Sequence, residues 1–168
     1  PAYLGGKFNV CGEKWYGSNV INPKERGLPR SVLTVTLNDP DTCEPIAYMS
    51  GNLISSMRTV CIPGVGVRYM ANKNAESISV IGVGPIQKAT MLAMKAELPD
   101  LKYVYAEAAH LERAQGFVEW CKEELGLNGE AFDSMEACCK KGDIVSVAAS
   151  PKDPLFFEDA WFKEGATI

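Results

Sequence analysis

The sequence predicts an α/β protein in which a partial parallel sheet follows part of an α+β domain. From residue 76 onward, short apolar segments rich in β-branched residues alternate with segments of helical periodicity. Strands that alternate with helices pair in parallel through right-handed crossovers, so we expect a parallel sheet in this part. Before residue 75, a β-hairpin pattern leads into one long helical pattern. The expected domains are therefore residues 1–75 and residues 76–168.

The first domain is expected to contain a hairpin followed by a helix. β-Branched residues dominate the first strand pattern, and Asn, Asp and Pro then favour a turn. Asn52 is the expected N-cap of the helix, and Pro63 is expected to kink or break it. The expected elements are a short strand near residues 13–16, a strand over 31–37, a turn over 38–41, a strand over 45–49 and a helix from Leu53 to about Ala71.

The second domain is expected to alternate between strands and helices. Gly126 should end one helix, because glycine readily adopts the left-handed conformation that closes helices. Asp133 or Ser134 should cap a shorter helix. The expected strands cover residues 77–81, 102–106 and 143–149, with another beginning at Ala166; the expected helices run from about Pro85 to Leu98, over 111–125 and over 134–140, with a helical turn near 156–162.

Composition and charge exclude several classes of protein. The chain has 168 residues, of which 46% are hydrophobic and 23% charged, as in ordinary globular proteins. Its formal net charge of −4 argues against a general nucleic-acid binder. We find no apolar run near the roughly 20 residues that span a bilayer, and no leader pattern at the start. We therefore expect a cytoplasmic protein with neither a nucleic-acid nor a membrane partner.

The cysteines and the single histidine argue against disulfides and metal. The six Cys include no Cys-x-x-Cys pair, and Cys138 and Cys139 are adjacent, so we expect reduced thiols. His110 is the only histidine, which makes a zinc site improbable. Because His110 lies where a helix should begin, we expect it to be solvated or at the edge of a ligand site.

A glycine turn at residues 82–84 is the strongest local signal. Gly82-x-Gly84 stands between a predicted strand and a predicted helix, which is the context of a dinucleotide-binding turn. The first glycine permits the tight turn, and the second lets the backbone approach a pyrophosphate. Pro85 suits the first helical turn. Gln87 replaces the usual third glycine, so either the helix packs less closely on the strand or Gln87 faces the ligand.

The end of the second strand bears on the choice of cofactor. An acidic residue there would bind the ribose hydroxyls of NAD. The strand pattern ends at Ala106, and Glu107 follows one place later, where its side chain would point to the other face. His110 and Arg113 lie just beyond and are placed to meet the 2′-phosphate of NADP. NAD and NADP both remain open at this point.

Five motifs occur together in a fixed order. They are Lys14-Trp-Tyr-Gly17, Gly27-Leu-Pro29, Leu37-Asn-Asp-Pro40, Leu53-Ile-Ser-Ser-Met-Arg-Thr59 and Gly82-Val-Gly-Pro-Ile-Gln87. Together they resemble the ornithine cyclodeaminase/mu-crystallin family. The opening of the chain is most similar to a subgroup with siderophore-pathway enzymes that join an amino acid to glutamate.

The resemblance implies a fold and an activity. It implies a substrate-binding and dimerisation domain of the α+β type, followed by a Rossmann domain that binds NAD(H) or NADP(H). Members oxidise the Cα–N bond of an amino acid to an imine, or run that step in reverse. We therefore expect a homodimeric NAD(P)-dependent oxidoreductase with an amino-acid or imino-acid substrate. The alternatives are a non-catalytic mu-crystallin-like NAD(P)H-binding protein and an inactive fragment.

The resemblance also implies substrate contacts. Lys14 and Arg58 are expected to hold the substrate carboxylate, and an Arg fork and a Lys ammonium suit that task chemically. Arg30 stands where simple cyclodeaminases carry a small hydroxyl residue, so we expect a substrate with a second carboxylate. The predicted cofactor-binding residues are Thr59, Gly82, Gly84, Pro85, Ile86, Gln87, Glu107, Arg113 and Ser150.

The catalytic acid/base is not predicted within this sequence. In simple cyclodeaminases it is an Asp in a segment after the fifth Rossmann strand. The chain begins at Pro1 without Met and stops at Ile168, so we expect it to be an N-terminal portion with that segment beyond its end.

Overall fold

A computed structural model describes residues 1–149 and 154–168. Within it the chain divides into two compact units, Pro1–Met57 and Arg58–Ile168. The division falls inside a long helix rather than after residue 75.

The first unit is built on a four-stranded antiparallel sheet. The hairpin predicted from β-branched residues is confirmed, and the Asp39 carboxylate accepts the backbone N–H groups of Asp41 and Thr42 in its turn, each at 2.9 Å. The expected short strand near residues 13–16 is longer, and the first strand and a short helix were not predicted. The elements are β1 (Ala2–Leu4), β2 (Val10–Ser18), α1 (Asn22–Glu25), β3 (Ser31–Asn38) and β4 (Pro45–Ser50), with the strands in the order β1-β2-β3-β4.

The long helix α2 covers Asn52–Met70 and continues through Pro63, Gly64 and Gly66, so of the kink or break expected there the break is wrong. The expected N-cap role of Asn52 is also wrong, because Asn52 is already helical. Its amide accepts the Leu33 N–H at 2.8 Å and donates to the Ser31 carbonyl at 2.9 Å. Since β4 ends at Ser50, opposite Thr34, this amide continues the hydrogen-bond ladder along β3.

The second unit contains a parallel sheet of β5 (Ser77–Ile81), β6 (Tyr103–Glu107), β7 (Asn128–Phe132) and β8 (Ile144–Val147), in the order β7-β6-β5-β8. The predicted strands and helices are confirmed, including the stop at Gly126, which has φ +67°, and the Ser134 cap. Thr167 pairs in parallel with Ile144, as expected for a strand that begins there. The elements are β5 (Ser77–Ile81), α3 (Pro85–Glu97), β6 (Tyr103–Glu107), α4 (Leu111–Leu125), β7 (Asn128–Phe132), α5 (Met135–Cys139), β8 (Ile144–Val147) and a 3₁₀ turn (Asp159–Trp161).

Strand β7 was not predicted. Its sequence, Asn-Gly-Glu-Ala-Phe, is poor in the residues that favour strands. Pairing with β6 nevertheless holds it, in the register Tyr103↔Asn128 to Glu107↔Phe132. A Cβ at Gly129 would lie 2.1 Å from the Val104 carbonyl oxygen, so only glycine allows this close approach.

The core of the second unit lies on both faces of its sheet. All five residues of β5 are buried. Met91 and Phe117 pack on one face, whereas Cys138 and Cys139 pack with Ile81 on the other. Burial raises the pKa of the Cys138 thiol to about 12, so this thiol stays protonated and unreactive. In the described ranges, no helix is long and apolar enough to cross a bilayer.

A polar network holds the amino ends of β5 and β8 together. One oxygen of Asp143 accepts the N–H groups of Glu76 and Ser77, at 3.1 and 3.0 Å, and the Ser77 hydroxyl at 2.7 Å. The other oxygen accepts Lys163 Nζ at 2.7 Å. Burial acts to raise the pKa of Asp143, but these hydrogen bonds outweigh it and hold the pKa below its ordinary value.

We expect Asp143→Asn to lower the free energy of unfolding by about 1–3 kcal/mol, because an amide leaves at least one partner without an acceptor. The depressed pKa means that the ionised carboxylate stabilises the fold above its ordinary pKa of about 4, and that this contribution is lost as pH falls through the lower folded value. Thermal unfolding of both proteins between pH 3 and pH 7 measures this. Parallel stability curves for the two proteins would contradict it.

Candidate dinucleotide-binding site

The glycine turn lies at the carboxyl end of β5. Gly82 has φ +87°, a conformation that favours glycine. A Cβ at Gly82 would lie 2.8 Å from the Ala148 carbonyl oxygen and 2.9 Å from Ala149 Cα. Glycine is therefore needed at position 82 for two reasons. It adopts the positive φ of the turn, and it leaves room for Ala148 and Ala149, which follow β8.

The helix that follows offers its amino end to a ligand. Gly84 is the N-cap residue of α3, Pro85 occupies the first turn, and the ladder begins with Lys88 N–H to the Gly84 carbonyl at 3.1 Å. The N–H groups of Ile86 and Gln87 thus precede the intrahelical ladder, at the positive end of the helix dipole. Within the described ranges, a Cβ built on Gly84 would meet no atom closer than 4 Å. The space beside Gly84 is open, and this arrangement fits a pyrophosphate.

Gln87 settles one alternative that the sequence left open. Its side chain is fully buried, and its amide nitrogen donates to Ser146 Oγ at 3.1 Å. The side chain therefore joins α3 to β8 inside the core and does not face a ligand. Only its backbone N–H can contribute to the predicted cofactor site.

A cavity of about 490 Å³ opens next to the glycine turn, at the carboxyl ends of β5, β6 and β8. Crevices at this edge of a parallel sheet are where nucleotides bind. Apart from two charged side chains, its walls are small or apolar. The lining residues are Ile81, Gly82, Val83, Gly84, Glu107, Ala108, Ala109, Arg113, Met135, Ala148, Ala149 and Leu155.

The two charged side chains in this cavity differ in burial. Glu107 is the last residue of β6, not the first residue after it, and is half-buried. Burial raises the pKa of its carboxyl group. Arg113 lies in the first turn of α4 and is exposed. His110, the N-cap of α4, is exposed as well, and its side chain makes no cap hydrogen bond.

The predicted substrate residues are distributed over both units. Lys14 lies on β2, and its Nζ donates to Ser55 Oγ at 3.3 Å. Arg30 comes just before β3 in the same unit, and Lys14 and Arg30 both act electrostatically on Tyr16. Arg58 is exposed and Thr59 half-buried on α2, in the second unit. Ser150, a predicted cofactor residue, lies outside the described residues.

Tyr16 was not predicted as a site residue. Tyr16 pairs with Leu33 on β3, and Lys14 pairs with Val35. Because Lys14 and Tyr16 are two positions apart on β2, their side chains project from the same face of the sheet. The spacing of two residues on a strand was the available signal, but no sequence motif gave Tyr16 a role.

These features define a dinucleotide-binding α/β protein of the Rossmann type, because a parallel sheet in this order carries a glycine turn and an open helix amino end at its carboxyl edge. The model of the ornithine cyclodeaminase/mu-crystallin family matches residues 1–168. The chain belongs to this family, as its five motifs indicated.

Among curated relatives, the chain is 30% identical over 169 residues to N-((2S)-2-amino-2-carboxyethyl)-L-glutamate dehydrogenase of Staphylococcus aureus, covering 100% of this chain and 50% of that protein. It is also 30% identical to alanine dehydrogenase of Archaeoglobus fulgidus, covering 100% of this chain and 49% of that one. The chain thus spans about half the length of these curated relatives.

Solved structures of similar enzymes also match this chain over about half of their own length. An archaeal alanine dehydrogenase dimer with bound NAD superposes with a TM-score of 0.84 at 27% identity, over 94% of this chain and 47% of that one. Delta(1)-pyrroline-2-carboxylate reductase of Thermococcus litoralis, in complex with NADH and L-proline, gives 0.83 at 29% identity, over 91% and 46%.

The two glycines of the turn should fail in different ways. We expect Gly84→Ala to keep the fold but weaken NADH binding by about tenfold, or about 1.4 kcal/mol, because its methyl group enters the open space beside the turn. Gly82→Ala should instead lower the free energy of unfolding by about 2 kcal/mol or more, because of its positive φ and the Ala148 carbonyl. NADH fluorescence titration and thermal unfolding of both variants separate these effects. Equal losses of stability would contradict the assignment.

Proposed function

We propose that the protein carrying this chain is an NAD(P)-dependent oxidoreductase that acts on the C–N bond of an amino acid or imino acid. The observation that supports this most is the open cavity beside Gly82 and Gly84 in a chain of this family. The named relatives include two dehydrogenases and a reductase of such compounds. We also keep the division into a substrate domain, residues 1–75, and a cofactor domain, residues 76–168, as part of the proposal.

The proposed reaction removes hydrogen from Cα and nitrogen of an amino acid. Cα loses a hydride, nitrogen loses a proton, and a C=N bond forms; the reverse reaction reduces an imino acid. A nicotinamide cofactor, when bound, would supply the hydride acceptor or donor. Gly82, Gly84 and the N–H groups of Ile86 and Gln87 would hold its pyrophosphate, with Pro85 setting the first turn.

The substrate carboxylate is the handle that orients Cα. In the proposal, Arg58 binds it with its planar two-pronged group, and Lys14 adds a second positive charge. Both side chains are exposed, so they are available to a ligand. Holding the carboxylate limits the rotation of the substrate, and such orientation lowers the barrier of the chemical step. Thr59, next to Arg58, is proposed to hydrogen-bond a cofactor phosphate.

Arg30 distinguishes the proposed substrate from a simple diamino acid. Arg30 adds a third cation to the proposed substrate residues Lys14 and Arg58, which favours a substrate with a second carboxylate and disfavours a cationic side chain such as that of ornithine. The Staphylococcus aureus relative is named as the dehydrogenase of a compound that contains a glutamate unit, which supports the same class.

We expect Arg58→Lys to lower kcat/KM for amino-acid oxidation by about 100-fold or more, since a single ammonium cannot replace a bidentate carboxylate contact. Because Arg58 is exposed, the melting temperature should change little. Arg26→Lys is the matched control, an exposed arginine whose contact is with Asn22. The assay uses the full-length protein with a panel of amino acids and keto acids, in both directions.

NADH binding without turnover of any panel member would favour a non-catalytic binding protein over the proposed enzyme. Failure to bind either reduced cofactor would remove the proposal altogether.

Between the two cofactors, Glu107 supports NAD. Its carboxylate lies on the wall of the cavity, is half-buried, and belongs to a strand, whereas Arg113 is exposed and screened by solvent. A carboxylate accepts hydrogen bonds from a ribose diol and repels a 2′-phosphate. We therefore propose that Glu107 contributes more to cofactor choice than Arg113 does.

We expect Glu107→Gln to improve NADPH binding relative to NADH by about tenfold, because the repelling charge is gone while the shape is kept. Lowering the pH toward the raised pKa of Glu107 should act in the same direction in the unaltered protein, since protonation also removes the charge. Arg113→Gln should have the opposite and smaller effect. Fluorescence titrations with both reduced cofactors measure the ratio, and an unchanged ratio in Glu107→Gln would contradict the assignment.

Assembly and location complete the proposal. The archaeal alanine dehydrogenase is a dimer, which supports a homodimer here. The exposed thiol of Cys43 favours a reducing compartment, which supports the cytoplasm.

A further inference from the structure

Tyr16 lies in a polar cluster on one face of the first sheet. We define the Tyr16 cluster as Lys14, Tyr16, Ser18, Arg30 and Ser31. Alternate residues of β2 supply the first three, and Ser31 stands opposite Ser18 in the register of β2 and β3. Because alternate residues of a strand share a face, Lys14, Tyr16 and Ser18 project together.

The phenol hydroxyl is the centre of this cluster. Tyr16 Oη lies 3.1 Å from Ser31 Oγ. Hydrogen bonds with Ser18 and Ser31, and then the charges of Arg30 and Lys14, lower the pKa of Tyr16. The hydroxyl is thereby made a better hydrogen-bond donor, and Arg30 and Lys14 are the cations that act on it.

Tyr16 is not held in place as a core residue would be. The residue is 55% exposed, so its hydroxyl is accessible to a ligand. The polar end of the ring, beside Ser31 Oγ and on the same sheet face as Lys14, offers a hydrogen-bond donor to a ligand. A carboxylate accepts such a donor with a stronger bond than a neutral group does.

We propose that the Tyr16 hydroxyl donates a hydrogen bond to the second carboxylate of the substrate, beside Arg30, and thereby selects dicarboxylates over monocarboxylates. This rests on the proposed function, which assigns a carboxylate substrate to the unit that contains Lys14. Tyr16 is a specificity residue in this role, because it touches the part of the substrate that does not react.

The test compares Tyr16→Phe with Tyr3→Phe. Tyr3 is a matched control: it is 63% exposed, it lies in the same sheet, and its hydroxyl donates to Asn9 Oδ1 at 2.8 Å. Its register partner is Cys11, an odd-numbered position on β2, so Tyr3 projects from the opposite face. Both changes remove only a hydroxyl group, so neither is expected to unfold the protein.

In the full-length protein, we expect Tyr16→Phe to raise KM for L-glutamate by about tenfold while kcat changes little, because the hydroxyl binds a group remote from Cα. KM for L-alanine should change by less than about twofold, and Tyr3→Phe should change neither. Combining Tyr16→Phe with Arg30→Ala should add less than the sum of the two single losses, since both residues serve one carboxylate. Equal effects on both substrates, an unchanged KM for L-glutamate, or full additivity would overturn the inference.

Direct binding keeps this test separate from the proposed activity. Calorimetric titration with glutarate and butyrate needs neither cofactor nor turnover. Weaker glutarate binding in Tyr16→Phe, with butyrate unaffected, supports the inference even if no amino acid is oxidised. Equal glutarate affinity in Tyr16→Phe and the unaltered protein overturns it, whatever the enzyme assay shows.

Discussion

The second unit depends on the contact between Gly82 and the chain that leaves β8. A Cβ atom at position 82 would lie only 2.8 Å from the Ala148 carbonyl oxygen, so no residue other than glycine lets these two segments approach so closely. The contact brings the carboxyl ends of β5 and β8 to one place and so shapes the cavity beside them. Gln87 adds a second tie between α3 and β8 through Ser146. The amino end of α3 is thereby held at a set position before any ligand arrives, which lowers the entropic cost of binding.

The same pair of strands is also held at its other end. Asp143 precedes β8, and its carboxylate collects N–H groups from Glu76 and Ser77 at the start of β5. Between the two ends, β5 is buried along its whole length. A polar network at the amino end, a buried middle and a glycine contact at the carboxyl end thus fix the register of β5 and β8, which are neighbours in the sheet. Strands held at both ends in this way position the cofactor site before a ligand binds.

The sequence predicted correctly those elements whose conformation is determined by residues close by in the chain. The strand pattern of residues 77–81, the stop at Gly126 and the Ser134 cap depend on neighbouring residues, and all three are confirmed. Strand β7 was missed because β6, a separate segment, holds it in place. Asn52 was misassigned for a similar reason, since a cap residue was expected to bind its own helix and it binds β3 instead.

The candidate site shows the same limit. Gly82 and Gly84 could be singled out because their spacing carries the chemistry. Whether the Gln87 side chain lies in the core or faces a ligand could not be decided, because Ser146 is its partner across 59 positions of sequence. Tyr16 was overlooked because its environment comes from two strands and from Arg30, and no contiguous motif records that.

The two units suit different parts of the proposed chemistry because of their secondary structure. A helix amino end gathers several N–H groups within one turn, so it suits the compact double charge of a pyrophosphate. A strand places alternate side chains about 7 Å apart along one face, so it suits separate charged groups of one small molecule. Lys14 and Tyr16 have this spacing on β2. A ligand with two carboxylates can meet both, whereas a ligand with one carboxylate meets one and leaves the other solvated. In the proposed function, the antiparallel sheet of the first unit therefore distinguishes substrates by length and charge, while the turn at Gly82 binds a group that all dinucleotides share.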